Sequence, residues 1–292
     1  MIVGRRSEAL TAYAFIFTSV FGFAVFVAIP AVRNVAISFT DWNLLSPPKA
    51  IGFRNYTMLF HDPVFWHGVK ITVLYVLYQI PIQTLIAIFL GVMMARFAKS
   101  ILLRGVVILP YLLPPVVGGL MGLWMLNPLI GIVNAAIVAV GIPRQPFLGS
   151  VHQALASVAG INIWQFAGFN ALLFFAGIQT IPSSLYEAAG LDGASEWQMF
   201  WRVTVPLLRP VTAFVLITSV IGSFQVFATI AATTHGGPVN ATRVLTWYMY
   251  EQAFQQNSMG YGAAISTALT VLLVAISLVQ FMAFRTGKSE LN

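Results

Sequence analysis

Apolar positions in this chain come in long runs, without the period-3.6 polar breaks of a water-facing helix. Residues 9–32 run without a charge, about 36 Å as a helix at 1.5 Å per residue. That is enough to cross a hydrocarbon core of roughly 30 Å with some tilt. Further runs free of Asp, Glu, Lys and Arg lie at 71–95, 105–126, 153–178, 211–233 and 261–284. The pattern predicts an all-α, polytopic membrane protein. It has six transmembrane helices in one transmembrane domain over 1–292, with both termini on one side. Pro110, Pro114 and Pro115 fall inside the third run; each removes a backbone donor, so that helix should kink. Residues 128–141 are apolar but too short to span, and predict a helix at the interface or packed on the bundle. The intervening 33–70 and 234–259 stretches read as polar, aromatic-rich outer loops, broken at Pro47-Pro48, Gly52 and Gly236-Gly237-Pro238.

Composition strengthens this picture. The chain is 59% hydrophobic and 8% charged, where a soluble domain carries roughly 25% charged residues, so its solvent is largely lipid. A cleaved signal peptide does not fit the first run, because its apolar region should be only about 7–15 residues. There are no cysteines, which excludes disulfides, thiolate catalysis and cysteine-ligated metal.

The net charge of +7 turns from a possible nucleic-acid signal into a topology signal once it is placed on the loops. Nine basic residues (Arg5, Arg6, Arg96, Lys99, Arg104, Arg202, Arg209, Arg285, Lys288) share the side of the termini. The other six (Arg33, Lys49, Arg54, Lys70, Arg144, Arg243) are spread over longer loops. The denser side should be cytoplasmic.

Chemistry for catalysis is missing. An ion-coupled pump usually needs an intramembrane charge, and none is present. His61, His67, His152 and His235 are scattered in no metal-ligand spacing. Gly287-Lys288-Ser289 looks like the end of a phosphate loop, but the required glycine at 282 is Met282. No catalytic residue and no metal site follow. Gln79 and Gln83 share a helix face, which suits a hydrogen bond to a neighbouring helix.

The 180–210 segment is different in kind. It holds Glu187, Asp192 and Glu196 between two very apolar runs. Ser184 with Glu187, and Ser195 with Gln198, have the spacing of capping boxes. The first helix should run from Leu185 to about Leu191. Asp192-Gly193 is a turn dipeptide, with glycine free to take positive φ. Trp197, Phe200 and Trp201 form an i, i+3, i+4 apolar stripe. Ala188, Ala189, Gly190 and Ala194 leave a small-residue surface on which a partner backbone can approach closely. The expectation is a helix-turn-helix that either folds on itself as a loop or docks a partner.

Glu187-Ala188-Ala189, three residues, Gly193, nine residues, then Val203-x-Val205-Pro206 resembles the EAA motif of ABC importer permeases. Val203 and Val205 stand where that family has Ile and Leu. Asp192-Gly193-Ala194 matches the D-G-A form of sugar permeases. Ser38-Phe39-Thr40-Asp41-Trp42, Gly52-Phe53-x-Asn55-Tyr56, the stretch from Trp164 through Asn170 and Gly236-Gly237-Pro238 are similar to the maltose-type carbohydrate-uptake group, specifically the first of its two permeases. Permeases for glycerol-3-phosphate and glycerophosphodiesters share these features.

The resemblance implies a type I importer permease fold in a bacterial or archaeal cytoplasmic membrane. It implies four kinds of partner: the lipid bilayer, a second homologous permease, two ATPase subunits and an extracytoplasmic solute-binding protein. ATP and Mg would be bound by the ATPase, and no cofactor by this chain. ATPase docking would fall to Glu187, Ala188, Ala189, Asp192, Gly193, Ala194 and Pro206. The spans flanking the EAA loop line the path in that family, and the polar or aromatic residues there are Asn162, Trp164, Gln165, Ser219, Ser223 and Gln225. Each is equally suited to holding helices together. A stand-alone secondary transporter would need inverted repeats or ion ligands, and neither is visible.

Overall fold

In the computed structural model, residues 3–97 and 101–285 are described, with side chains over 12–97 and 101–284. Lys99, Lys288 and the 287–289 stretch lie outside them, as do the side chains of Arg5, Arg6 and Arg285. Among the described residues the chain is helical. Its one extended pairing is an isolated antiparallel bridge between Thr40 and Ala50. Four helices are long and apolar enough to cross a membrane, and up to six spans result if each of two bent pairs counts as one.

The chain divides into two compact units. The first comprises the described residues up to Phe65 together with Met249–Val271. Its opening helix is α1 (Val3–Phe23), a π-turn (Ala24–Ala28) and α2 (Ile29–Ile37). The span therefore ends at Ile37, beyond the expected 32, and carries Arg33 within it. Among its described side chains, none in the most apolar window is buried. The expected outer loop also contains a helix, α3 (Arg54–His61). Asn55 explains why this stretch is ordered. Its Nδ2 donates to the carbonyls of Ser38 and Thr40 at 2.8 Å each. Tyr56 shares a 2.6 Å hydroxyl bond with Ser38. The second expected loop holds α14 (Leu245–Tyr250), followed by a π-turn at Glu251–Gln255. The last helix, α15, spans Met259–Arg285, as the apolar run required.

The second unit is built on α4 (Pro63–Phe97) and α8 (Ala154–Gln179). The 35 residues of α4 begin well before the expected position 71. Pro63 starts that helix without cost, since its missing N–H is one of the orphans of a first turn. The third run is α5 (Ile101–Ile108), a 3₁₀ turn (Leu109–Leu112) and α6 (Pro115–Met125), bent by 93°. Pro114 and Pro115 remove the donors that would carry the helix through. The bend stays satisfied because Gln165 Nε2 donates to the Leu113 carbonyl at 2.9 Å. Helix α7 (Ile132–Ala139) is the short apolar helix expected at 128–141.

The fifth run departs furthest from expectation. Instead of one helix over 211–233, α12 (Arg209–Phe224) stops at Gln225, and a separate α13 (Ala228–Ala232) follows. Helix α13 packs on α6, where Gly119 lets its backbone come close to Thr229 and Ala232. The carbonyl of Val226, freed by the break, accepts the Thr246 hydroxyl. A core of Ala87, Met94, Ala171, Phe174, Phe175, Leu208 and Val215 joins α4, α8 and α12. Lipid tails are as apolar as these side chains, so close packing and interhelical hydrogen bonds hold the helices together.

Candidate functional site

On α4, Tyr75, Gln79 and Gln83 recur every four residues and so share one face. On α8, Asn162, Phe166, Phe169 and Asn170 share a face through spacings of three and four, as do Ser219, Gly222 and Ser223 on α12. These faces converge on a cavity of about 310 Å³ in the second unit, closed by Tyr111, Gln225, Phe227 and Thr229. The volume lies at the small end of ligand pockets, roughly 300–1,000 Å³.

One side of the cavity is a polar ladder. Gln79 Nε2 donates to Gln83 Oε1 at 2.9 Å, and the Ser223 hydroxyl donates to Gln79 Oε1 at 3.2 Å. Asn162 Nδ2 donates to the Tyr75 hydroxyl at 2.8 Å, and Asn162 Oδ1 accepts from Thr229 at 2.8 Å. Asn170 Nδ2 donates to Ser219 at 3.1 Å. The other side is aromatic: Tyr111 stacks on Phe169 with centroids 4.4 Å apart and meets Phe166 edge-on at 5.9 Å. No residue lining the cavity is charged. The break after α12 places Gln225, the residue that ends the helix, in its wall.

Of the residues expected along a path, Asn162, Ser219, Ser223 and Gln225 come together here. Two do not. Trp164 faces an apolar groove beside α6 and α7, with Gly122, Met125 and Val133. Gln165 is buried and spends its amide on the Leu113 carbonyl. Both lie on other faces of α8, a rotation that no span boundary reveals. Tyr75, Tyr111, Phe169 and Thr229 also line the cavity. The sequence signals Tyr75 only through its four-residue spacing from Gln79, and Tyr111 and Thr229 not at all.

The 180–210 segment folds as α9 (Ser183–Leu191), a turn, α10 (Glu196–Met199), a π-turn (Phe200–Thr204) and α11 (Val205–Leu207). Gly193 takes φ +75°. Its N–H donates to the Gly190 carbonyl at 3.0 Å and the Ala194 N–H donates to Ala189 at 2.9 Å, the paired bonds of a Schellman ending. The Ser195 capping box forms, with Gln198 N–H donating to Ser195 Oγ and Ser195 N–H to Gln198 Oε1. The expected box at Ser184 does not. A residue before proline is disfavoured in helical geometry, and the new helix starts directly after Ile181, with Pro182 as its N-cap. Ser184 then lies inside the first turn, where its hydroxyl caps nothing.

Glu187, Ala188, Asp192 and Gly193 are exposed, Ala189 and Ala194 half-buried, and Pro206 lies in α11. The Tyr186 and Thr204 hydroxyls meet at 2.9 Å and close the hairpin on its exit. Leu191 at 90% and Trp197 at 69% relative exposure leave an apolar face uncovered.

A bent-helix membrane bundle with a capped polar hairpin between two spans defines a class. The chain belongs to the family of binding-protein-dependent transport system inner membrane components, which it matches over residues 83–285. It is a multi-pass membrane protein and a permease component of such a system.

Among its relatives is a probable ABC transporter permease protein, YurN, of Bacillus subtilis, 36% identical over 92% of this chain and 94% of that one. The lactose transport system permease protein LacF of Rhizobium radiobacter is 31% identical over 97% of both. The sn-glycerol-3-phosphate transport system permease protein UgpA of Agrobacterium fabrum is 32% identical over 79% of both. The fold is shared with a chain of a bacterial ABC transporter involved in the import of the acidic polysaccharide alginate. That likeness has a TM-score of 0.84 and 23% identity, and covers 99% of each chain.

Proposed function

We propose that this chain forms, with a second homologous permease, the membrane path of an ATP-driven importer for an uncharged carbohydrate delivered by an extracytoplasmic binding protein. The observation that carries the substrate class is the cavity wall: amides and hydroxyls on one side, stacked aromatic rings on the other, and no charge. Amides and hydroxyls match sugar hydroxyls as donors and acceptors. Aromatic faces match the apolar faces of a pyranose.

An anionic solute would leave its charge unpaired in a low-dielectric site, at a large desolvation penalty. Glycerol-3-phosphate is the second reading, supported by the similarity to UgpA; it requires cations from the partner permease. The chain itself catalyses nothing in this reading. ATP and Mg are bound by two ATPase subunits, which seat on the α9–α10 hairpin through Glu187, Ala188, Ala189, Asp192, Gly193 and Ala194, with Pro206 ending the segment. Both termini and this hairpin then face the cytoplasm.

The test is uptake by the complete transporter reconstituted in vesicles, offered a panel of neutral oligosaccharides and glycerol-3-phosphate. ATP-dependent uptake of a neutral sugar, uncompeted by glycerol-3-phosphate, is the expected result. Uptake of glycerol-3-phosphate alone overturns the substrate class, and uptake by this chain alone without ATP overturns the importer reading.

A further inference from the structure

Arg96, in the last turn of α4, forms an ion pair with Glu196, in the first turn of α10. Both side chains line a polar cleft of about 920 Å³, together with Thr180, Tyr186, Glu187 and Thr204. Each charge stands where its own helix favours it, the cation at a C-terminus and the anion at an N-terminus. Both side chains are exposed, at 46% and 70%. A pair this open to water adds little to stability, so its meaning lies in what it connects.

The hairpin α9–α10 is joined by the chain to α8 on one side and, through α11, to α12 on the other. Helix α4 is not its chain neighbour. Yet α4 carries the Tyr75–Gln79–Gln83 face of the cavity, and Gln83 lies about 20 Å from Arg96 along the same helix at 1.5 Å per residue. Apolar packing of Met94 in the Leu208 cluster also touches this end of α4. Such packing is non-directional and allows sliding. An ion pair between two helix ends holds one point of α4 to one point of the hairpin.

We propose that Arg96 is a positioning residue for energy coupling: through Glu196 it ties α4, and with it one wall of the cavity, to the ATPase-docking hairpin. A displacement of the hairpin is then delivered to three helices, two by covalent connection and α4 by this pair. The inference rests on the docking role proposed above for α9–α10.

The test uses the complete transporter. Gln225 is replaced by cysteine as a reporter in this otherwise cysteine-free chain. Its labelling by a membrane-impermeant maleimide is followed with and without ATP, and ATPase co-purification is measured in the same preparation. Arg96→Glu is expected to keep the ATPase bound and to shrink the ATP-dependent change in labelling about fivefold or more, the lower range of measured site-to-site coupling. The exchanged pair Arg96→Glu/Glu196→Arg is expected to recover much of it. Arg96→Gln, which removes the charge without repulsion, serves where Arg96→Glu fails to assemble.

An undiminished ATP response in Arg96→Glu or Arg96→Gln overturns the proposal. So does a loss that the exchanged pair leaves unchanged, which marks a merely structural role. No ATP response with the native pair in place overturns instead the docking reading beneath it.

Discussion

Asn162 Oδ1 accepts the Thr229 hydroxyl at 2.8 Å although the two residues stand 67 positions apart. The same side chain receives α4, because its Nδ2 donates to Tyr75. One amide thus joins α8, α4 and the detached α13, all at buried positions. Removing it leaves two hydroxyls without partners, at about 1–3 kcal/mol each for a buried orphan. Asn162→Ala should lower the thermal midpoint of the purified protein by several degrees. An unchanged midpoint would show that the hydroxyls find other partners.

Two glycines of α8 make opposite predictions. A methyl group on Gly168 would run into the Val107 backbone oxygen, whereas nothing lies within 4 Å of one on Gly160. Gly168→Ala should force α5 away and lose folded protein. Gly160→Ala should gain up to about 1 kcal/mol of helix propensity. Thermal unfolding of both variants checks the pair, and equal effects would contradict the packing of α5 on α8.

Gly222 lines the cavity and has no atom within 4 Å of an added Cβ. Gly222→Phe should therefore fill the path without disturbing the helices. Uptake by the complete transporter should fall to background while ATPase association persists. Full uptake would place the path elsewhere.

The hairpin can be tested at two of its serines. Ser195→Ala removes a formed capping box and should cost about 1 kcal/mol of local helix stability. Ser184→Ala removes no cap bond and should be nearly silent. Hydrogen exchange of the α10 and α9 amides reads each directly, and equal protection loss in both would refute the assignment of the caps.

Gly193 sits at φ +75°, a conformation that costs an L-residue about 1–2 kcal/mol and that proline cannot adopt. Gly193→Pro and Glu187→Lys should each leave membrane insertion intact and abolish co-purification of the ATPase. Survival of the complex in both variants would remove the docking role.

Local physics made much of this protein legible in its sequence. Charge-free runs placed the long helices α8 and α15 within one or two residues, because a chain in lipid must satisfy its backbone internally and a helix does so from local sequence alone. The Asp192-Gly193 turn and the Ser195 cap were equally readable, since each is fixed by a few adjacent residues. What the sequence left open depends on groups that arrive from far along the chain. The 93° elbow at Pro114 stays satisfied only because Gln165, from a helix far along the chain, donates to the freed Leu113 carbonyl. The fifth run breaks at Gln225, where the freed Val226 carbonyl is met by Thr246. That break sends Thr229 to Asn162, and the rotation of α8 sends Trp164 away from the cavity and Asn162 into it. Periodicity determined which residues could share a face. Only the packing of distant helices decided which face became the wall of the cavity.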